Sequence, residues 1–238
     1  MEGLVITSKG VEDTASSEIR ELINANCKIE NTCVVFDFDE FKDLCLLCYK
    51  CQSADRILYL MGDFEFTDFF EDFEKFIDKV NFDEWVYNNK KFKIECTRLG
   101  THHFKSIDVE AKAAEFLLKK LKIKNNKIDK KDYEIIYFAY IMDNKCYFGI
   151  DFAGFELNKR DYKIFLHPNS LRGTIAYALF RESGFEKKDV VLDPFSRDGV
   201  IVIEAAFYAS NFPHNYYKKD KFAFLKLNLG IDFEEFFK

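Results

Sequence analysis

The sequence has 238 residues, enough for two domains, and its 48% hydrophobic and 32% charged residues describe a globular protein rather than a disordered or fibrous one. Three prolines and ten glycines leave little room for long linkers. No apolar run approaches the roughly 18 residues that a membrane span requires, and the N-terminus has neither the basic flank nor the long apolar stretch of a signal peptide. A cytoplasmic protein without a membrane partner is expected.

In chain order, residues 4–7 read as a short strand, and residues 11–25 carry helical spacing in Val11, Ala15, Ile19, Leu22 and Ile23. Residues 33–38 read as a strand, 40–51 as a helix and 57–66 as a further strand. This β-α-β-α-β order predicts a small α+β layer. Phe69, Phe70, Phe73, Phe76, Ile77 and Val80 recur every three or four residues, so they predict an amphipathic helix with the phenylalanines as core. Residues 91–98 alternate as a strand should. After a loop at 99–105, Ser106 is placed to cap a helix whose first turn holds Asp108 and Glu110. Residues 133–142 and 145–152 predict two paired strands joined by a tight turn at Asp143-Asn144. Beyond a polar connector at 154–163 come a helix (170–183), a buried strand (189–192), a glycine-bearing loop and a second apolar helix (200–209). Strand, loop and helix in that order open a parallel α/β sheet.

Charge is unevenly distributed. Residues 1–85 carry 8 Lys and Arg against 20 Asp and Glu, residues 86–173 carry 18 against 11, and residues 174–238 carry 9 against 10. The middle third is therefore a basic island, suited to a polyanion even though the whole chain has a net charge of −6. Cys45, Cys48 and Cys51 form a C-x-x-C-x-x-C run that could hold an iron–sulfur cluster. Their spacing also fits one face of a helix among Leu44, Leu46, Leu47 and Tyr49, and an odd total of seven cysteines points to reduced thiols. Four histidines come without a carboxylate cluster at ligand spacing, so neither a metal nor a catalytic histidine is expected.

The stretch from Val190 to Ala206 carries the most chemistry. An apolar segment ends at Asp193, turns through Pro194, Phe195, Ser196, Arg197 and Asp198, and starts a helix at Gly199. Such a turn exposes backbone N–H groups where a nucleotide-like cofactor can lie, although a purely structural loop has the same shape. Asp193, Pro194, Phe195, Gly199, Ile203, Glu204, Ala205 and Ala206 resemble the first S-adenosylmethionine-binding motif of the THUMP-domain RNA methyltransferases. Residues 157–162 resemble that family's Leu-His-Lys-Arg-Gly-Tyr connector. Residues 167–174 resemble the segment that lines its cofactor pocket, and residues 98–106 resemble a loop of its THUMP domain.

The resemblance implies an α+β fold in four parts. A ferredoxin-like N-terminal subdomain spans 1–65, a THUMP-like RNA-binding subdomain 66–155 and a linker 156–166. Residues 167–238 then form an incomplete Rossmann-like methyltransferase domain. It implies S-adenosylmethionine as cofactor, held by Asp193, Pro194, Phe195, Ser196, Gly199, Pro168, Asn169, Ser170 and Leu171. It implies structured RNA as partner, tRNA ahead of rRNA and not DNA, with the exocyclic amine of a guanine as target. Arg98, His102, His103, Lys105, Lys112, Lys159, Arg160 and Lys163 are the candidate RNA contacts, through phosphate pairing and base stacking. Arg197 stands at the family's first loop glycine and Asp198 at its usual serine or threonine. The later Asn-Pro-Pro-Tyr or Asp-Pro-Pro-Phe motif, which grips the target amine, does not occur in residues 1–238, so no catalytic residue is assigned. Weak cofactor binding without methyl transfer is expected of these residues. A non-catalytic THUMP-type RNA-binding protein is the alternative.

Overall fold

A computed structural model describes residues 1–82, 85, 91–122, 128–164 and 169–238. In chain order the elements begin with strand β1 (Glu2–Ile6), helix α1 (Glu12–Ile23), strands β2 (Cys27–Glu30) and β3 (Cys33–Asp37), helix α2 (Phe41–Lys50) and strand β4 (Arg56–Glu65). Helix α3 (Phe69–Lys79), strand β5 (Phe92–Leu99), helix α4 (Ser106–Leu121) and strands β6 (Ile135–Met142) and β7 (Lys145–Asp151) follow. Helices α5 (Gly173–Glu182), α6 (Val200–Ser210) and α7 (Phe233–Phe236) complete the chain, with 3-10 turns at Tyr216–Lys221 and Ala223–Lys226 before α7. Two compact units result: Met1–Ile57 together with Phe152–Lys238, and Leu58–Asp151. Among the described residues no helix is long and apolar enough to cross a membrane.

In the first unit β1 and β2 both pair antiparallel with β3. Gly3 lies opposite Phe36 in the β1–β3 register. A Cβ on Gly3 would come within 2.3 Å of the Phe36 ring, so only glycine lets that ring cross the strand. The sequence pattern does not predict strand β2. Its residues Cys27, Lys28, Ile29 and Glu30 are half-buried or exposed, so the edge strand has no buried face to mark it. Helix α1 buries Ala15 and Ile19, and α2 buries Leu44, Cys45, Leu47 and Cys48, as their periodicity predicts. Helices α5 and α6 pack on each other through Tyr177, Phe180 and Ala205, with Val191 against the same cluster.

One predicted element is absent. Residues 189–192 form no strand, and Val190 and Leu192 are 97% and 82% exposed, contrary to the buried strand that their composition predicts. A strand is defined by its neighbours, and among the described residues none lies beside this segment to accept its hydrogen bonds.

The second unit is a sheet in the order β4-β7-β6-β5, with β5 and β6 parallel and the other pairs antiparallel. The turn between β6 and β7 contains Asp143 at φ 49°, a conformation that Asp tolerates better than most residues. Helix α3 supplies Phe69, Phe73 and Ile77 to the core, where Phe64 stacks on Phe73 at 5.7 Å and Tyr137 on Phe148 at 5.9 Å. Helix α4 begins at Ser106 itself. Lys105, rather than Ser106, precedes its first turn, and the Lys105 backbone N–H donates to the Asp108 carboxylate at 2.8 Å.

Candidate functional site

The loop after β5 is held against the β6–β7 turn. Gly100 adopts φ +97°, and a Cβ there would approach Asp143 Oδ1 to 2.6 Å. His102 Nε2 sits 2.6 Å from the Asp143 carbonyl oxygen, which fixes its ring as a structural clip. Phe104 stacks on Phe69 at 4.6 Å, and the Arg98 guanidinium lies 5.5 Å from the Phe104 ring while Arg98 Nε donates to Ser106 Oγ. A groove of about 790 Å³ opens beside these rings, lined by Phe66, Phe70, His102, His103, Phe104 and Asn144 among others. His103 and Lys105 are exposed at its edge. This loop therefore brings cations and aromatic faces together, the combination that binds unpaired nucleotides. Lys112, farther along α4, is exposed and paired with Glu115 at 2.9 Å.

The other three candidate RNA contacts lie in the first unit. Lys159 is exposed and paired with Glu156 at 2.7 Å. Lys163 turns inward, donates to the Leu171 carbonyl and lies 3.9 Å from Asp198. Arg160 corrects the sequence reading: it is only 5% exposed and does not face solvent. Its Nε donates to Glu204 Oε1 at 2.8 Å, Nη1 to the Leu157 carbonyl at 2.7 Å, and Nη2 to the Gln52 carbonyl at 2.5 Å. A buried guanidinium with these partners is unavailable to phosphate. Glu204 also accepts from Gln52 Nε2 at 2.7 Å and Tyr162 Oη at 2.6 Å, so the ion pair ties α6 to the end of α2 and to the connector. Gly173 makes room for it, since a Cβ there would lie 2.6 Å from both Arg160 Nε and Glu204 Oε1. The signal for this cluster is a carboxylate inside the apolar run of α6, because a buried charge requires a partner.

Two more buried polar groups adjoin the same junction. Glu18 accepts from the backbone N–H groups of Gln52 and Ser53 at 2.8 and 2.9 Å and from Ser53 Oγ at 2.5 Å, while burial pushes its carboxyl pKa up. Burial, and then the Arg160 charge, push the pKa of His214 well below the usual histidine value. Cys45, Cys48 and Cys51 form no disulfide and pack inside the unit as core residues of α2 and its C-terminus.

The candidate cofactor loop is built as a turn. Asp193 Oδ1 accepts from Phe195 N at 3.2 Å, and the Asp193 carbonyl accepts from Ser196 N at 3.3 Å. Gly199 precedes α6 at φ +70°, a left-handed conformation that favours glycine. Phe195 and Ser196 are exposed, as are Asn169 and Leu171, and Ser170 is half-buried. Pro168 and His167 lie outside the described residues. Burial pushes the Asp198 carboxyl up, but the Ser170 hydroxyl and Lys163 outweigh it and bring its pKa below the usual carboxylate value. Asp198 therefore faces a cation and a hydroxyl, which stabilise its negative charge. The turn, the glycine and the exposed Phe195 fit one side of an adenosine-type cofactor. Among the described residues nothing forms the opposite wall, because Val190, Leu192 and Phe195 stand open at 97%, 82% and 88% exposure.

Residues 68–151 match the THUMP domain, and residues 160–235 match the RMKL-like methyltransferase domain. A tRNA (guanine(6)-N2)-methyltransferase from Methanocaldococcus jannaschii is 28% identical over 230 residues, covering 94% of this chain and 60% of that protein. The protein of the same name from Archaeoglobus fulgidus is 25% identical over 218 residues, covering 86% of this chain and 53% of its own. The chain thus spans between half and two-thirds of the length of these relatives. Among solved structures, one described as a possible methylase from Clostridium difficile 630 superposes with a TM-score of 0.81 at 22% identity, over 99% of this chain and 62% of that one. SMU.472, described as a putative methyltransferase and solved in complex with SAH, superposes with a TM-score of 0.78 at 20% identity, again over 99% of this chain and 62% of that one.

Proposed function

Since the chain belongs to the THUMP-domain RNA methyltransferases, we propose that it supplies the RNA-binding and cofactor-loop portion of an S-adenosylmethionine-dependent enzyme acting on structured RNA. The observation that carries this reading is the loop of Arg98, His103, Phe104 and Lys105 beside an aromatic groove within the THUMP domain. Lys105, Arg98 and Lys112 contact phosphates, and His103 and Phe104 stack on unpaired bases. The substrate is tRNA, with the exocyclic N2 of a guanine as target, in keeping with the names of the two archaeal relatives. Such a partner and the buried, reduced thiols suit the cytoplasm.

The cofactor, S-adenosylmethionine, supplies the methyl group when bound. Asp193, Phe195, Ser196 and Gly199 of the loop, with Asn169, Ser170 and Leu171, would hold it, and Pro168 extends the same segment. The four-part partition into 1–65, 66–155, 156–166 and 167–238 assigns RNA binding to the second part and the cofactor loop to the fourth. Filter binding of unmodified tRNA to residues 1–238 at 50 and 200 mM salt tests the RNA reading. Affinity should fall by about 40-fold, because three phosphate contacts each contribute a log–log salt slope of roughly −0.9 on duplex nucleic acid. Absence of binding at the lower salt would remove it.

A further inference from the structure

The 3-10 turn Tyr216–Lys221 is clamped at both ends and open between them. On its N-terminal side Asn215 is 1% exposed, and its Nδ2 donates to the Cys48 carbonyl near the end of α2 at 2.9 Å. On its C-terminal side Phe222 stacks on Phe155 at 5.3 Å, and the backbone N–H groups of Ala223 and Phe224 donate to the carbonyls of Ala153 and Phe152 at 3.0 Å each. No residue of the turn itself is buried. Tyr217 is 79% exposed, although its ring is among the larger apolar surfaces that a side chain carries. Phe212, Tyr216 and Tyr217 follow one another at ring separations of 5.2 and 5.3 Å. Because buried residues hold the backbone on both sides, this row of rings is a fixed platform.

Side chains three residues apart in a 3-10 helix lie over one another. Lys219 accordingly returns over Tyr216, its Nζ 5.3 Å from the ring centre. Lys218 serves the fold: it pairs with Asp161 at 2.9 Å, donates to the Lys159 carbonyl and lies 5.1 Å from the Phe155 ring. Lys219 and Lys221 pair with no carboxylate among the described residues, and Asp220 is the one acid of the turn. We infer that Tyr216–Lys221 is a second RNA contact, in which Tyr217 stacks on an unpaired base while Lys219 and Lys221 meet the flanking phosphates. The turn lies outside the THUMP match at 68–151 and inside the methyltransferase match at 160–235. Exposed rings interleaved with unpaired cations suit single-stranded nucleic acid, because every base has a face to stack and the cations follow the backbone. An acidic polypeptide would answer the lysines but not the row of rings. The inference rests on the RNA reading of the chain and adds a surface to it.

Filter binding of unmodified tRNA to residues 1–238 between about 50 and 200 mM salt tests it. The three THUMP contacts alone give a fall in affinity of about 40-fold over that range, and two further lysines at the same slope multiply it by about 12, to about 500-fold. Lys219→Ala with Lys221→Ala should return the fall to about 40-fold. Tyr217→Ala should weaken binding by about tenfold at the lower salt, the loss expected for one stacked base, and Tyr217→Phe should restore it by restoring the ring. Neither change should move the melting temperature, since Tyr217 is exposed. A fall of about 40-fold that the double lysine replacement leaves unchanged overturns the inference while the THUMP contact stands, as does Tyr217→Ala with full affinity. Displacement of tRNA by polyglutamate as effectively as by polyuridylate of equal charge would give the turn to an acidic polypeptide and overturn it too. Full affinity of His103→Ala with Lys105→Ala, beside the expected loss for Tyr217→Ala, would support the inference and sink only the THUMP contact. Absence of tRNA binding at the lower salt sinks both.

Discussion

Replacing Arg160 by alanine should destabilise the first unit far more than any other cation-to-alanine change in the candidate RNA set. The side chain makes four hydrogen bonds, to Glu204 Oε1 and Oε2 at 2.8 and 3.3 Å, Leu157 O at 2.7 Å and Gln52 O at 2.5 Å. Its removal leaves the Glu204 carboxylate 0% exposed and without its cation, with Gln52 Nε2 and Tyr162 Oη the remaining donors among the described residues. Breaking a buried ion pair in this way costs about 3–5 kcal/mol. At roughly 2–4 °C per kcal/mol for a unit of this size, the melting temperature should fall by about 6–20 °C. Differential scanning calorimetry of the wild type and Arg160→Ala measures it directly. Arg160→Lys should recover little, because an ammonium cannot serve three separate acceptors in the geometry of a planar fork. The double replacement Arg160→Met with Glu204→Leu should recover most of the loss, because no buried charge then remains. A melting temperature for Arg160→Ala within a degree of wild type, with weakened tRNA binding, would refute the assignment and return Arg160 to the RNA surface.

Replacing His103 and Lys105 together by alanine should weaken tRNA binding severalfold in filter assays with little change in thermal stability, since both are exposed. Unchanged affinity would move the contact surface elsewhere. Gly173→Ala drives a Cβ to 2.6 Å from Arg160 Nε and Glu204 Oε1 and should cost about 1–3 kcal/mol in urea titration, whereas a neutral result would mean that the ion pair shifts freely. His214 has a depressed folded-state pKa, so its contribution to stability is present above about pH 6.5 and is lost as pH falls below it, by at most about 1.4 kcal/mol per pH unit. Glu18 has a raised pKa and acts in the opposite sense, its contribution being lost as pH rises. Comparing urea midpoints of wild type and His214→Gln between pH 7 and 5 isolates the histidine: the variant should show the shallower acid loss, and parallel curves would contradict the assignment. Isothermal calorimetry of residues 1–238 with SAH should show weak or no binding, and tight binding would mean that the open side of the loop needs no wall.

What the sequence made legible was whatever local spacing controls. The phenylalanines of α3 and the alternation of β5 announce their buried faces within a few residues, and the Asp143-Asn144 turn declares itself by its residue types. Edge strand β2 escaped because a half-exposed edge carries no period-two apolar signal. Residues 189–192 have the composition of a strand, but strand formation depends on a neighbour, and composition cannot supply it. Arg160 misled for a similar reason. It sits in a polar connector, where an arginine ordinarily faces water, and its burial depends on Gln52 and Glu204, 108 and 44 residues away in sequence. The loop motif at 193–199 was legible as a turn with a required glycine, whereas the inward turn of Asp198 onto Ser170 and Lys163 follows from side-chain packing that spacing does not encode.

The hydrogen bond from Phe152 N to Ile57 O, at 3.1 Å, closes the first unit exactly where the chain leaves it and returns. Residues 58–151 are thus a guest threaded between two halves of a host whose exit and re-entry points already touch. A ribosome that has made residues 1–57 must finish the guest before the host can close, so Glu204 cannot reach Gln52 until the last quarter of the chain emerges. The same closure makes the guest exchangeable. A short turn joining Ile57 to Phe152 would span the same gap, and a different module with adjacent termini could be spliced into it.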